Sequence, residues 1–171
     1  MEPMNPLDEL WLYDWPINSI NVPSYMVFKR PKMDPQQVLD KVIDAACSPN
    51  NNRCSVKVVK FMGKHYFKQL DNQEFKIWKK NNTAVVDYVK TDQDMIDFGL
   101  KLKTLDGLSS TTSTVMSFYF PNLNEDEAAL MAFGHHTHQD GISQMQSFFS
   151  FSDNFKKGDY PFMERPQPTL L

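Results

Sequence analysis

The feature that most constrains this chain is a polar segment, residues 134–143, that directly follows an apolar run. Residues 127–133 are mostly apolar and contain no proline, a pattern that predicts a buried strand. The next ten residues hold three of the chain's four histidines, one aspartate and two glycines. Apolar side chains then recur at helical spacing over 142–149, which predicts a helix beginning near Gly141. The histidines are therefore expected on rigid supports where a strand, a turn and a helix meet.

Histidines in such a position suit proton transfer. A neutral imidazole titrates at about pH 6.5, so it can accept a proton from a hydroxyl or a thiol at working pH. Its other ring nitrogen needs a partner, and a neighbouring histidine, a backbone carbonyl or Asp140 can supply that hydrogen bond. Gly141 removes a side chain where backbone or substrate approaches closely. The segment is therefore a candidate catalytic site.

The same segment carries a recognisable motif. His135, His136, Asp140 and Gly141 reproduce the HHxxxDG motif of the coenzyme A-dependent acyltransferases that have the chloramphenicol-acetyltransferase-like fold. That superfamily also includes the condensation domains of peptide synthetases and the wax ester synthase/diacylglycerol acyltransferases. Ser143 extends the match, because an apolar residue and then serine often follow the aspartate-glycine pair. The chain therefore resembles a member of this superfamily.

The amino-terminal part resembles one branch of the superfamily. Residues 5–11 and 22–28 are similar to the opening helix and first strand of the wax ester synthase branch. The resemblance implies one chloramphenicol-acetyltransferase-like lobe, most like the amino-terminal lobe of those enzymes. It also implies transfer of a fatty acyl group from acyl-CoA, a co-substrate, to a hydroxyl acceptor such as a long-chain alcohol or diacylglycerol. No permanently bound cofactor and no metal are expected.

The resemblance gives the motif residues their expected roles. His136 is expected to be the general base that deprotonates the acceptor hydroxyl, and His135 to support its loop. Asp140 is expected to be structural and to be held by an arginine. The arginines that the chain offers for this are Arg30, Arg53 and Arg165.

Two further positions are expected to bind substrate. Gly141 and Ser143 follow the aspartate, and Ser143 or a backbone amide near Gly141 is the expected donor to the oxyanion of the reaction. His138 falls at a variable position of the motif and inherits no role.

Two alternatives remain open at this point. Alternate residues of an extended strand share a face, so His136, His138 and Asp140 could converge on one zinc ion. The other alternative is a catalytically inactive acyltransferase-like lobe that serves as a binding or scaffold protein, since a motif does not guarantee activity.

Elsewhere the chain mixes helices and strands. Asp34 and Pro35 begin the clearest helix, which ends before an asparagine-rich loop at 48–52. Further helices are expected over 8–15 and 92–105, and strands over 22–29, 55–62, 64–70, 74–78, 85–89, 112–120 and 127–133. Two hairpins are expected: one joins strands 55–62 and 64–70 across Gly63, and the other joins strands 112–120 and 127–133 before the motif. No strand-helix-strand unit repeats, which favours an α/β (α+β) sandwich with a mixed, mainly antiparallel sheet flanked by helices.

Length bounds the domain organisation. The 171 residues fit one domain, with an acyltransferase-like lobe expected over 1–155 and an extended proline-rich tail over 156–171. Only 30 residues follow Gly141, too few for the second lobe that completes the site in two-lobed members of the superfamily. We therefore expect a second lobe, a partner subunit or a homo-oligomer to complete the site. The other expectations are a truncated gene product or an inactive relative.

Composition excludes several other classes. A net charge of −3 without a basic, aromatic-interleaved stripe gives no reason to expect nucleic acid. No run of about 18 apolar residues exists, so no membrane-spanning helix is expected. The first residues lack the layout of a secretory signal, and Cys47 and Cys54 are too few for a disulfide framework and are expected to be reduced. The expected location is the cytoplasm, with peripheral contact at a membrane or lipid surface.

Overall fold

The computed structural model describes residues 1–10, 12, 21–46, 55–103 and 115–136. Helices and strands alternate along these ranges. The helices are α1 (Pro6–Leu10), α2 (Pro35–Ala46), α3 (Asn72–Asn82) and α4 (Asp92–Lys103). The strands are β1 (Glu2–Pro3), β2 (Asn21–Lys29), β3 (Val56–Phe61), β4 (Lys64–Gln69), β5 (Thr83–Val85), β6 (Val115–Phe120) and β7 (Glu127–His135).

The larger of two sheets has the histidine-bearing strand in its interior. Its four strands lie in the order β2–β7–β6–β5. β7 runs antiparallel to β2, with Asn21 opposite His135 and Lys29 opposite Glu127. It is also antiparallel to β6, whereas β5 runs parallel to β6. The expected mixed and mainly antiparallel sheet is therefore confirmed.

Both faces of this sheet are covered by helices. Alternate residues of a strand point to opposite faces. The odd-numbered apolar residues of β7 pack on the side of α4, where Met95 and Leu102 are buried. Its even-numbered residues pack on the side of α2 and α3, where Leu39 and Trp78 are buried. A strand covered on both sides has no water-facing positions, which explains the continuous apolar run. The expected sandwich is confirmed.

Capping interactions explain where the helices begin. The side chain of Asp34 accepts hydrogen bonds from two backbone amides in the first turn of α2, at 3.0 and 3.1 Å. Asp71 caps α3 in the same way, and the Glu74 carboxylate accepts a hydrogen bond from the Asp71 backbone N–H. This reciprocal capping box satisfies amide groups that a helix start otherwise leaves without partners.

A smaller sheet has the strand order β1–β4–β3. β3 and β4 form a hairpin with a two-residue turn, in which Met62 and Gly63 have φ angles of 49° and 80°. One face of this hairpin, with Phe67 at its centre, packs on Met4. The ion pair between Lys57 of β3 and Glu74 of α3 connects this sheet to a helix that covers the larger one.

Two expected strands differ in the structure. The strand expected over 74–78 is wrong, because these residues lie inside α3, where the capping box starts a helix and Trp78 is its buried residue. The strand expected over 85–89 lies earlier, as β5. Val86 and Val89 follow β5 and are buried in the core without being part of a strand.

Several expectations concern residues that the structure does not describe. α1 begins at Pro6, two residues before the helix expected over 8–15, and residues 11 and 13–15 of that helix lie outside the described ranges. The helix expected from Gly141 and the tail over 156–171 also lie outside them, as do Cys47 and Cys54. None of the helices in the described part of the chain is both long and apolar enough to cross a bilayer.

Candidate functional site

The adjacent histidines of the motif lie at one end of β7. His135 is the last residue of this strand and is 8% exposed. It lies opposite Asn21 of β2, so a neighbouring strand supports it on that side. One residue earlier, Gly134 lies opposite both Val22 of β2 and Val115 of β6. The end of β7 is therefore held from both sides, which gives the histidines a rigid base.

The two histidines differ in their surroundings. By strand alternation, His135 shares the face of Met131 and Phe133, which is the face covered by α4. His136 is the first residue after the strand, in a turn, and is half-buried. A buried histidine at a strand end suits a supporting role, and a half-buried one in a turn can still meet a substrate. The assignment of supporting and working histidine stays a prediction.

The remaining motif residues lie outside the described ranges. This holds for Asp140, Gly141 and Ser143, and for His138 of the alternative zinc site. Their expected roles in supporting the loop, binding substrate and holding a metal therefore stay predictions.

Arg30, one of the arginines expected to hold Asp140, makes its contacts at the other end of β7. The backbone N–H of Arg30 donates to Asp126, and its guanidinium donates to the carbonyl of Asn124, both at the end of β7 away from the histidines. That end is about 30 Å from His135 at the usual rise of a strand. The five residues from His135 to Asp140 span at most about 18 Å. Arg30 is therefore occupied far from the histidines, and the choice among Arg30, Arg53 and Arg165 stays a prediction because Asp140 lies outside the described ranges.

Comparisons with known proteins identify the fold. No protein-family model and no curated protein sequence matches the chain. Among solved structures, a wax ester synthase/diacylglycerol acyltransferase from Marinobacter aquaeolei VT8 matches with a TM-score of 0.58 and 17% identity, over 85% of this chain and 36% of that one. This is the chloramphenicol-acetyltransferase-like fold. The chain forms a single acyltransferase-like lobe of this fold.

Further solved structures have the same lobe. The starter condensation domain of rhizomide synthetase matches with a TM-score of 0.62 and 13% identity, over 86% of this chain and 35% of that one. Trichothecene 15-O-acetyltransferase from Fusarium sporotrichioides matches with a TM-score of 0.51 and 13% identity, over 75% of this chain and 28% of that one. The acyltransferase-like lobe thus spans about a third of the length of these proteins.

A separate groove of about 360 Å³ lies between α2 and α3 of the acyltransferase-like lobe. Its lining residues are Gln36, Asp40, Lys76, Lys79, Lys80 and Thr83. Lys79 donates to Asp40 at 2.9 Å and to Asp44 at 3.0 Å. Partial burial alone lowers the pKa of Lys79, but these carboxylates outweigh it and raise the pKa. The charge of Lys79 is therefore already matched within the protein.

The fourth histidine has a structural position. His65 lies on β4, and its Nδ1 is 2.7 Å from the Glu9 carboxylate of α1, with 19% of its side chain exposed. The sequence indicates a surface or edge residue at this position, but β4 is the middle strand of the small sheet and His65 is only partly exposed. Its pairing with Glu9 joins α1 to that sheet. No local pattern signals this pair, because 56 residues separate the partners.

Proposed function

We propose that this chain is the acyl-transfer lobe of an O-acyltransferase. Its reaction would move an acyl group, preferably fatty, from acyl-CoA to a hydroxyl acceptor such as a long-chain alcohol or diacylglycerol. The observation that carries the proposal is the position of His135 and His136 at the end of the interior strand β7, in a lobe whose fold is shared with acyltransferases. The resemblance of residues 5–11 and 22–28 to the wax ester synthase branch supports the choice of acceptor.

In the proposed reaction, neutral His136 accepts the proton of the acceptor hydroxyl as its oxygen attacks the thioester carbonyl. A tetrahedral intermediate forms, with its negative oxygen held by Ser143 or by a backbone amide near Gly141. The carbon–sulfur bond then breaks, and the imidazolium of His136 gives its proton to the departing thiolate. The products are an ester and free coenzyme A, and His136 returns to its neutral form.

The proposed enzyme includes a second component. The chain spans about a third of the length of the solved proteins it matches. We propose that a second lobe, a partner subunit or another copy of this chain completes the substrate site. Acyl-CoA and the acceptor would then bind between the two parts, next to the end of β7.

The test of this proposal is acyl-CoA-dependent release of thiol, followed with a thiol reagent in the presence of a long-chain alcohol or diacylglycerol. His136→Ala is expected to lower the rate by about a hundredfold to ten-thousandfold, which is the usual contribution of a general base. His65→Gln is the matched control, because His65 lies in the smaller sheet, away from the motif, and is paired with Glu9 of α1. Turnover that survives His136→Ala contradicts the general-base role.

A second candidate function is a catalytically silent binding or scaffold lobe. The chain shares with acyltransferases only a fold, and a shared fold does not guarantee activity. Calorimetry separates the two: binding of acyl-CoA without thiol release, with or without an acceptor, supports the silent lobe. Metal analysis of the same sample tests the zinc alternative, which requires stoichiometric zinc that is lost in His138→Ala.

A further inference from the structure

We propose that the β3–β4 hairpin docks on the surface of a bilayer that contains anionic phospholipids. The docking element, called the hairpin tip here, consists of Lys60, Phe61, Met62, Gly63 and Lys64. This proposal stands independently of the acyl-transfer reaction. It assigns the lipid-surface contact expected from the sequence to one element of the fold.

The hairpin tip exposes two adjacent apolar side chains. Phe61 is 54% exposed and Met62 is 87% exposed. The Phe61 ring meets Tyr66 edge-on, with ring centroids 6.4 Å apart, and this leaves much of the ring in solvent. Single exposed apolar residues are common on proteins, but here two stand together at the end of a hairpin. They form a small apolar end on the sheet.

Met62 is also poorly suited to its backbone conformation. Met62 and Gly63 both have positive φ angles, 49° and 80°, as the two central residues of a type I′ turn do. Such turns favour asparagine, aspartate or glycine at the first of these positions, and an unbranched apolar residue there is disfavoured. Neither local conformation nor burial explains methionine at this position. An external apolar contact does explain it.

The hairpin is positively charged, although the whole chain is negatively charged. Lys57, Lys60, Lys64 and Lys68 lie between residues 55 and 70, a stretch without aspartate or glutamate, in a chain whose net charge is −3. Glu74 pairs with Lys57 at the base of the hairpin. At the tip, Lys60 and Lys64 are exposed. The Glu9 carboxylate pairs with His65, opposite Lys60. The exposed lysines at the tip therefore give the apolar end positively charged neighbours.

The geometry of the tip matches the interface of an anionic bilayer. Lys64 lies opposite Phe61 and shares its face, whereas Lys60 lies opposite His65 on the other face. The two ammonium groups thus flank the apolar end, where they can reach lipid phosphates while Phe61 and Met62 enter the acyl boundary. A stable protein interface needs about 20–30 residues on each side, far more than this tip offers. These observations favour a bilayer over a protein partner.

Vesicle flotation with the full chain tests the proposal. The protein is mixed with phosphatidylcholine vesicles with or without phosphatidylserine, over a range of salt concentrations. Binding is expected with phosphatidylserine and is expected to weaken as salt rises. Lys60→Gln with Lys64→Gln is expected to weaken binding about 25-fold, because each lysine near an anionic surface contributes about a fivefold effect.

Met62→Asn separates docking from folding. It creates an Asn-Gly turn, the favoured sequence for this hairpin, so the melting temperature is expected to stay equal or rise. Binding to the anionic vesicles is expected to fall about tenfold, because the methionine side chain no longer enters the bilayer. Ile77→Asn on α3 and Lys32→Gln with Lys41→Gln are matched controls, since they change exposed residues outside the hairpin. The controls are expected to bind as the wild type does.

Two results overturn the proposal. One is a wild-type chain that does not float with phosphatidylserine vesicles at low salt. The other is vesicle binding that Met62→Asn and the lysine pair leave unchanged. In the first case, self-association that Met62→Asn abolishes would assign the tip to a second copy of the chain.

Discussion

Gly99 of α4 lies against Met131 of β7, and a methyl group at Gly99 would stand 3.4 Å from the Met131 Cε atom. That distance is an ordinary contact with the end of a flexible side chain. Gly99→Ala is therefore expected to raise the free energy of unfolding by about 0.5–1 kcal/mol, because alanine loses less conformational entropy in a helix. Urea unfolding measures the change.

Gly99→Val is the matched comparison. Its extra methyl groups would press on Met131 and on Pro23, whose Cβ would lie 3.7 Å from a Cβ at Gly99. We expect a loss of about 1–3 kcal/mol from overpacking. Equal stability of the two variants would mean that α4 does not lie this close to the sheet.

The Glu74 carboxylate is expected to make stability depend on pH. Its hydrogen bond with Lys57, followed by that from the Asp71 N–H, holds the pKa of Glu74 below its ordinary value of 4.5. A group with a lowered pKa contributes stability above its unfolded value, and this stability is lost as pH falls through the folded value. Glu74→Gln is therefore expected to be less stable than wild type at neutral pH. The difference is expected to shrink below pH 4.5.

Urea unfolding of both proteins from neutral pH into the acid range measures this. Lys57→Gln supplies the control, because Lys57 is the largest cause of the lowered pKa. In that background, Glu74→Gln is expected to show a smaller dependence on pH. An unchanged dependence would assign the effect to the capping box instead of the ion pair.

Replacing His135 and replacing His136 are expected to have different effects on stability and activity. His135 is buried at the end of β7, so His135→Ala is expected to lower the free energy of unfolding by about 1–3 kcal/mol. His136 is only half-buried, so His136→Ala is expected to have the smaller effect on folding. Thermal unfolding of both variants, with thiol release from acyl-CoA measured in parallel, separates support from catalysis. A larger loss of stability in His136→Ala would reverse the expected roles.

The two faces of the larger sheet are expected to contribute separately to stability. Leu39 of α2 and Met95 of α4 are both almost fully buried, on opposite faces. Replacing either with alanine is expected to cost about 2–5 kcal/mol through lost burial and a residual cavity. Leu100→Ala, on the exposed side of α4, is the control and is expected to change stability by about 0.5 kcal/mol or less. Unfolding by urea compares them, and a Leu39→Ala as mild as the control would contradict the packing of α2.

Local patterns predicted most elements but not α3. Phe75 and Ile77 alternate with Glu74 and Lys76, which favours a strand, yet Ile77 is exposed and the neighbouring Trp78 is buried. The decisive signal was the pair Asp71 and Glu74, three residues apart, which forms the capping box at the start of the helix. The sequence therefore does contain a helix-start signal at Asp71 and Glu74. The apolar alternation that follows it suggested a strand, but the packing of α3 does not follow that alternation.

The division of the strands between two sheets was not predictable from local patterns. The hairpins β3–β4 and β6–β7 join neighbouring segments, and the sequence predicts both. The pairing of β1 with β4 and the parallel pairing of β5 with β6 join separate segments, so turn residues carry no signal for them. For the candidate site, the apolar run predicted the supporting strand, which is confirmed as β7. It carried no information on Arg30, which contacts the end of that strand away from the histidines.

The register of β2 with β7 has a consequence for synthesis on the ribosome. Asn21 pairs with His135 and Lys29 with Glu127, so the partners are about a hundred residues apart in the chain. Until the ribosome has added β7, β2 remains without its only neighbour among the described strands of its sheet. His135 and His136 thus leave the ribosome together with β7, the strand that joins β2 to the rest of the sheet. A nascent chain that stops before them leaves an open sheet edge for chaperones to protect.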